Sequence, residues 1–416
     1  MKTAPSAVEI NGRHYQWPKQ PIVVVCIDGS EPGYIEQAAA TGRAPFFQRI
    51  LEKGTNRLAD CVVPSFTNPN NLSIVTGVAP EVHGICGNFF YDRDDDAEVM
   101  MNEPRFLRVE TIFKAFQDEG AKIVVITAKD KLRRLLGHGL TLARGKAASF
   151  SSEKADEATI EENGITGIPE LVGLPVPSVY SAELSAFVFA AGVKLMERDR
   201  PDIMYLSTTD YIQHKHAPGT PVANDFYVMM DGYLEQLEQM GCLIALTADH
   251  GMNAKHDAET GEPNVFYLQD WMDERLGSGA ARVILPITDP YVVHHGALGS
   301  FATVYIPEGV ETGPVIEGLL DMEPIDCALT RAEGCKRFGL PEDRMGDLIV
   351  VSTKHTTLGT SADRHDLSGL TDPLRSHGGT SEQRVPLLGN RAVSEPAADA
   401  HLRNFDIFDL ALNKMQ

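Results

Sequence analysis

PIVVVCID, residues 21–28, is an unbroken apolar run that ends on an acidic residue. A half-exposed strand would alternate apolar and polar positions; this run has no polar face, so it predicts a strand buried on both sides. AKIVVITA (121–128), DIMYLST (202–208) and GCLIALTAD (241–249) read the same way. Between them lie stretches of helical period: ETIFKAFQDEG (110–120), SAELSAFVFAAGVKLMERD (181–199) and NDFYVMMDGYLEQLEQMG (224–241). Apolar strands alternating with amphipathic helices predict an α/β fold with a mostly parallel sheet between helices. Ligands of such sheets collect at the carboxyl ends of the strands, and two of those ends are Asp28 and Asp249-His250.

Past His250 the alternation loosens. Residues 256–370 carry Gly- and Pro-rich turns and short strands such as FATVYIP and DLIVVST. They predict an inserted α+β cap or lid, with the core formed by 1–255 and 371–416. A second irregular stretch, roughly 139–180, is rich in Gly, Ser, Glu and Pro and reads as a surface excursion. GHGLTLARGKAAS is a near miss for a phosphate-binding loop: its glycine is displaced by one position and Ala follows the Lys, so it is set aside. There is no internal repeat.

The 416 residues suffice for two to three domains at about 150 residues each. With 43% hydrophobic and 23% charged residues, the composition is that of a globular protein with a sizeable core. A formal net charge of −21 argues against a nonspecific nucleic-acid binder or a binder of anionic membranes. An anionic ligand would need metal ions or a local lysine cluster to overcome that field. No run approaches the ~18 apolar residues of a membrane span, and MKTAPSAVEINGRHYQWPKQ at the start lacks a signal-peptide run. Cys26, Cys61, Cys86, Cys242, Cys327 and Cys335 form no C-x-x-C pair, so buried free thiols and a cytoplasmic location are expected.

Asp210 and His214, in STTDYIQHKH, are four apart and share a helix face. Asp249-His250-Gly251 ends a strand, and His377 lies in the Gly-flanked RSHGGTS. With Asp28, these three Asp and three His supply two oxygen/nitrogen ligand sets suited to divalent metals such as zinc. Taken singly, an Asp after a strand is more commonly a helix N-cap; the metal reading rests on joint placement at successive strand ends. In CVVPSFTNPNNLSIVTGVAPEVHGICGNFFYD (61–92), Thr67 falls at or near the first turn of a predicted helix. Its hydroxyl is there either a cap or a nucleophile, since the amide N–H groups favour an incoming anion and a metal can lower the hydroxyl pKa.

CIDG at Asp28, PSFTNPNNLSIVTG at Thr67, HGICGN at Asn88, STTDYIQHKH at Asp210 and His214, TADHGM at Asp249 and His250, and SHGG at His377 span about residues 22 to 388. This ordered set resembles the alkaline phosphatase superfamily of two-metal hydrolases, in its nucleotide pyrophosphatase/phosphodiesterase-like branch. The resemblance implies an alkaline phosphatase-like core holding two Zn2+ per chain. Asp210, His214 and His377 would hold one zinc; Asp28, Asp249, His250 and the Thr67 oxygen would hold the other. Thr67 would attack phosphorus, Asn88 would donate to a nonbridging phosphoryl oxygen, and His214 and His377 would also contact substrate.

Within that branch the chain looks most like enzymes that hydrolyse the carbon–phosphorus bond of phosphonoacetate to acetate and phosphate. A P–O bond expels an oxyanion, whereas a P–C bond expels carbon, which needs an adjoining carboxylate to take up the charge. Such an enzyme requires positive charge beside that carboxylate. Lys129 and Lys131, in ITAKDKLRRLL, match the lysines these enzymes carry and would bind substrate. Their plain reading is a solvated basic helix face shared with Arg133 and Arg134, and an i,i+2 pair inside a helix would diverge. The alternative function is a phosphodiesterase or nucleotide pyrophosphatase on the same site, with Phe89, Phe90 and Tyr91 at hand to clamp a base. A metal-dependent phosphomutase fits PSFTNPNN less well, and a binding module fits least. The expected partner is a small phosphonate, without nucleic acid or membrane; the resemblance suggests a homodimer. His216 lies near the proposed site; His83, His138, His256, His294, His295, His355 and His365 default to surface or satisfied core roles.

Overall fold

The computed structural model describes residues 5–288, 296–368, 370–393 and 401–415; His294 and His295 lie outside them. The four apolar runs form strands Ile22–Cys26, Ile123–Thr127, Ile203–Ser207 and Leu243–Thr247, every residue of them buried. They belong to a seven-stranded sheet ordered Thr55–Asp60, Arg384–Gly389, Leu243–Thr247, Ile22–Cys26, Ile203–Ser207, Ile123–Thr127, Ala147–Ser151. The last five of these run parallel, and Arg384–Gly389 is antiparallel to both its neighbours.

The register places the strand ends in one row. Thr247 pairs with Cys26, Cys26 with Ser207, Ser207 with Thr127, and Thr127 with Ser151. Successive side chains of a strand face opposite sides of the sheet. Accordingly Ile22, Val24 and Cys26 join one apolar core with Leu72, Ile112 and Phe116, while Val23, Val25 and Ile27 join a second with Phe187, Phe226 and Leu234. The first core is roofed by helices Thr67–Thr76 and Ile112–Asp118, the second by Glu183–Asp199 and Pro221–Gln239. The last helix begins before its apolar period does, because Pro221 fits the first turn and the Thr220 hydroxyl accepts from the Ala223 N–H.

One expectation is corrected. Residues 147–151, inside the stretch read as a surface excursion, form a fully buried strand at the edge of the sheet. AASFS lacks the β-branched residues that signal a strand; its burial comes from the segments packed over it, including Asn163, whose side chain donates to the Ser149 carbonyl.

Beyond the central sheet, Arg282–Ile284, Phe301–Tyr305, Leu348–Ser352 and Ile325–Thr330 form a four-stranded antiparallel sheet in that order. Its residues Val283, Phe301 and Leu348 share the first apolar core. A short antiparallel pair, Asn253–Ala254 with Arg375–Ser376, draws the two ends of this region together and returns His377 to the strand-end row.

Candidate active site

Asp28 and Asp249 each lie two residues beyond the aligned strand ends, and Asp210 lies three beyond Ser207. Two parallel neighbours ending in register therefore deliver their carboxylates to one place. The turn after Asp28 requires glycine: Gly29 has φ +71°, and a Cβ there would stand 3.0 Å from Asp210 Cβ. The backbone fixes the carboxylates in turn. Asp28 N donates to the Thr208 hydroxyl at 2.9 Å, and Asp249 Oδ1 accepts from Gly29 N at 3.2 Å and His250 N at 3.0 Å. Asn71 Nδ2 donates to the other Asp249 oxygen at 3.4 Å.

The three histidines share one device. Nδ1 of His214 meets the Arg375 carbonyl at 2.7 Å, that of His250 the Gly251 carbonyl at 2.8 Å, and that of His377 the Ser65 carbonyl at 2.7 Å. A carbonyl holding the proton on Nδ1 leaves Nε2 as the ligating nitrogen, the usual outer support of a metal-bound imidazole. Those Nε2 atoms face carboxylates: His214 to Asp210 at 2.9 Å, His250 to Asp28 at 3.3 Å, His377 to Asp210 at 3.7 Å. Asp210, His214 and His377 each bring a ligand atom within 4.8 Å of the others, and so do Asp28, Asp210 and His250. Asp210 thus reaches both groups, where the resemblance gave it to one. Asp249 stands beside the second group, 3.6 Å from His250 Nε2. Among the described residues, the buried atoms Asp28 Oδ1 and His250 Nε2 lack a hydrogen-bond partner. An orphaned carboxylate oxygen facing an orphaned imidazole nitrogen is a donor set that a divalent cation satisfies.

The electrostatics lead the same way. Burial, then the charges of Asp210 and Asp249, push the Asp28 carboxyl well above its ordinary range. Burial also raises Asp249, against the pull of His250. For Asp210 burial is overcome by His214, His377 and Lys129, which hold it well below that range. Burial would lower His250, but Asp249, Asp28 and Asp210 push it up to about 10. Three buried carboxylates that demand a protonated histidine are a site that positive charge stabilises.

Thr67 is the first residue of the Thr67–Thr76 helix, with Phe66 in the cap position. It lines a cavity of about 90 Å³ together with Asp28, Asn88, Asp210 and His377, and both lysines open onto the same cavity. Lys129 is extended (φ −108°, ψ 142°) and precedes the Asp130–Leu136 helix, so the divergence of two helical residues does not arise. The arginines that follow turn back: Arg133 Nε and Arg134 Nε lie 2.6 and 3.5 Å from Asp130. Arg133 is thereby drawn in, its side chain 12% exposed, while Arg134 stays 65% exposed. Asn88 Oδ1 accepts from Asn68 N at 3.0 Å, which leaves its amide N–H2 as the free end.

The aromatic clamp that the nucleotide alternative would want is not assembled among the described residues. Phe90 packs against Phe106 and Tyr91 against Tyr305, each at 5.1 Å, and neither they nor Phe89 line the cavity. His216 contributes its carbonyl, which accepts from the Tyr34 hydroxyl at 2.8 Å. His83 is a satisfied core residue, bonded to Ser73 Oγ and Ile85 N. Ser65, Asn71, Thr208 and Arg375 were missed by sequence reasoning: Ser65 and Arg375 act through backbone carbonyls, Asn71 through its amide and Thr208 through its hydroxyl, and only the PSFTNPNN segment hinted at two of them.

The chain belongs to the type I phosphodiesterase / nucleotide pyrophosphatase family, which matches residues 22–380. Within that class, it is 57% identical to a solved phosphonoacetate hydrolase from Sinorhizobium meliloti 1021 in complex with phosphonoformate, over 99% of each chain, with a TM-score of 0.95. The same hydrolase in complex with phosphonoacetate matches at 56% identity over 99% of each chain, also at 0.95. Human ectonucleotide pyrophosphatase/phosphodiesterase family member 1 is 29% identical over 244 residues, 56% of this chain and 23% of that protein. The chain thus spans about a quarter of the human relative's length.

Proposed function

We propose that the chain hydrolyses the carbon–phosphorus bond of phosphonoacetate, giving acetate and phosphate. The observation that carries this reading is that Lys129 and Lys131 open onto the cavity that holds Thr67, Asn88 and the Asp–His cluster. The match to phosphonoacetate hydrolase over 99% of both chains supports it.

Two Zn2+ would be held by Asp210, His214 and His377, and by Asp28, Asp249, His250 and the Thr67 oxygen. Bound there, they would neutralise the carboxylates and lower the pKa of the Thr67 hydroxyl. The chain does the rest. Thr67 offers its oxygen to phosphorus from a helix N-terminus, where unpaired N–H groups favour the phosphoryl anion. Asn88 donates its amide hydrogens to a phosphoryl oxygen. As the O–P bond forms, the C–P bond breaks and its electron pair delocalises into the carboxylate, against Lys129 and Lys131. The carbon takes a proton and acetate leaves; water then displaces Thr67 from phosphorus, releasing phosphate.

We read residues 256–370 as a cap over this site. The chain is read as cytoplasmic, because all six cysteines are free and buried; no helix among the described residues is long and apolar enough to cross a membrane. A homodimer is the assembly to test by size and mass in solution. The deciding experiment measures phosphate release side by side from phosphonoacetate and from p-nitrophenyl phosphate esters. Preference for the esters by kcat/KM would replace this reading with the phosphodiesterase one, which family membership favours and the missing aromatic clamp disfavours.

A further inference from the structure

The cavity carries two charged ends, and the rest of its lining combines the polar Asn68, Asn102, Thr208 and Thr209 with three apolar side chains. Thr67 and the Asp–His cluster make the phosphoryl end, Lys129 and Lys131 the carboxylate end, and Met100, Leu132 and Ile287 are its aliphatic and thioether side chains. Each of the three has a rigid backing. Ile287, 2% exposed, follows Pro286, whose carbonyl accepts from Asn88 N at 2.8 Å and Phe89 N at 3.1 Å. The contact is close enough that a Cβ on Gly87 would stand 2.6 Å from Pro286 Cβ. Behind Ile287 lies Gly299, where a Cβ would meet Ile287 Cγ2 and the His377 carbonyl, both at 3.1 Å. Met100 ends a strand paired with Phe89–Asp92, and the next N–H, that of Met101, donates to the Asn88 carbonyl at 2.8 Å. Leu132 is buried one residue after Lys131.

We infer that Met100, Leu132 and Ile287 form an apolar collar around the carbon between the two charged ends, restricting substrates to phosphonates whose α-carbon bears no substituent. The inference rests on the carbon–phosphorus hydrolase reading above. An α-methyl group needs the volume these side chains fill. Two of them are bonded through neighbouring backbone atoms to the Asn88 segment, so they cannot retreat without moving the residue that donates to the phosphoryl oxygen. Overpacking such a wall forces off-rotamer side chains or backbone shifts. One methylene more or less in a rigid apolar pocket discriminates by about 10–200-fold.

The test compares kcat/KM for phosphonoacetate, 2-phosphonopropionate and 2-phosphonobutyrate in the wild type, Ile287→Ala and Met100→Ala. The wild type is expected to prefer phosphonoacetate over the α-methyl compound by about 10-fold or more, and Ile287→Ala to shrink that preference about 10-fold. Met100→Ala, at a half-buried position, carries the test where Ile287→Ala does not fold. A wild type that accepts the α-methyl compound equally, or folded variants that keep the wild-type ratio, overturns the collar while leaving phosphonoacetate hydrolysis standing. A wild type that releases no phosphate from phosphonoacetate overturns the underlying reading and the collar with it.

Discussion

The imidazoles of His250 and His377 lie face to face, their centroids 3.6 Å apart and their planes 8° from parallel. One follows a central strand and the other returns from beyond the antiparallel sheet, yet each has Nδ1 fixed on a carbonyl. Both therefore offer Nε2 from adjoining positions, and with Asp210 common to both ligand groups the two sites form one cluster. Two stacked rings resist carrying a positive charge each. His250 is pushed up to about 10, while burial and then the His250 charge hold His377 well below its ordinary value.

Metal content follows from that cluster. Protein purified without chelator is expected to hold close to two equivalents of zinc, and His377→Ala to lose about one. Chelation should abolish phosphate release and lower the melting temperature, since a ligand at 100 times its Kd adds about 2.7 kcal/mol to folded-state stability. A single equivalent at full activity, measured by elemental analysis, refutes the pair.

Thr67→Ala is expected to remove nearly all turnover while keeping the fold and most of the metal. Thr67→Ser keeps the hydroxyl and should retain appreciable activity. Wild-type rates in the alanine variant would mean that water attacks phosphorus directly and that Thr67 serves the helix alone; steady-state kinetics with metal analysis separates the two.

Lys129→Ala or Lys131→Ala should depress phosphonoacetate turnover on the order of 10²–10³-fold, the usual loss for one well-placed donor in a dry site. Hydrolysis of an aryl phosphate ester, whose leaving group carries no carboxylate, should fall far less. Equal losses on both substrates would remove the carboxylate role.

His83 gives a pH signature away from the Asp–His cluster. Burial drives its pKa down to about 3, and its Nδ1 accepts from the Ile85 N–H, so the folded ring stays neutral. The unfolded ring takes up a proton below about pH 6.5. Between these values the unfolded state binds more protons, so stability present above pH 6.5 is lost as pH falls toward 3. One proton corresponds to about 1.4 kcal/mol per pH unit, or about 2 kcal/mol between pH 7 and 5. Urea titrations of wild type and His83→Gln should differ in slope by close to one proton; parallel slopes would contradict the burial argument.

Lys255 and Glu382, both fully buried, pair at 2.9 Å. Glu382 also accepts from Asn253 Nδ2 at 2.6 Å and Gly379 N at 3.0 Å, and its carbonyl takes Gly251 N at 2.7 Å. It thereby ties the His250 loop to the His377 loop. Lys255→Met leaves a buried carboxylate without its cation and should cost about 3–5 kcal/mol in urea unfolding. A loss below 1 kcal/mol would show that water reaches the pair.

Four of the seven central strands were legible because a strand buried on both faces must be apolar throughout. Ala147–Ser151 was not, since small and hydroxyl side chains carry no strand signal. Asp28, Asp249 and His250 were legible through their place after strands, and Asp210 with His214 through helical spacing. That Asp210 reaches both groups depends on the turn at Gly29, which no spacing expresses. The direction of Lys129 and Lys131 depends on where the helix begins, the least readable feature of a helix. Met100 and Ile287, nearly two hundred residues apart, line one cavity because backbone hydrogen bonds tie their neighbours to the Asn88 segment, which no local pattern encodes.

Arg384–Gly389 enters the sheet between Thr55–Asp60 and Leu243–Thr247. Emerging from the ribosome, the chain completes both flanking strands long before the one that joins them. Throughout the synthesis of residues 248–383, the Leu243–Thr247 edge stays bare while Asp28, Asp210 and His250 wait for His377. An apolar edge with unpaired N–H and C=O groups is a template for pairing with other chains. Nascent-chain vulnerability and completion of the Asp–His cluster are therefore timed by the same short stretch, His377 to Gly389, which finishes the candidate ligand set and then seals the sheet.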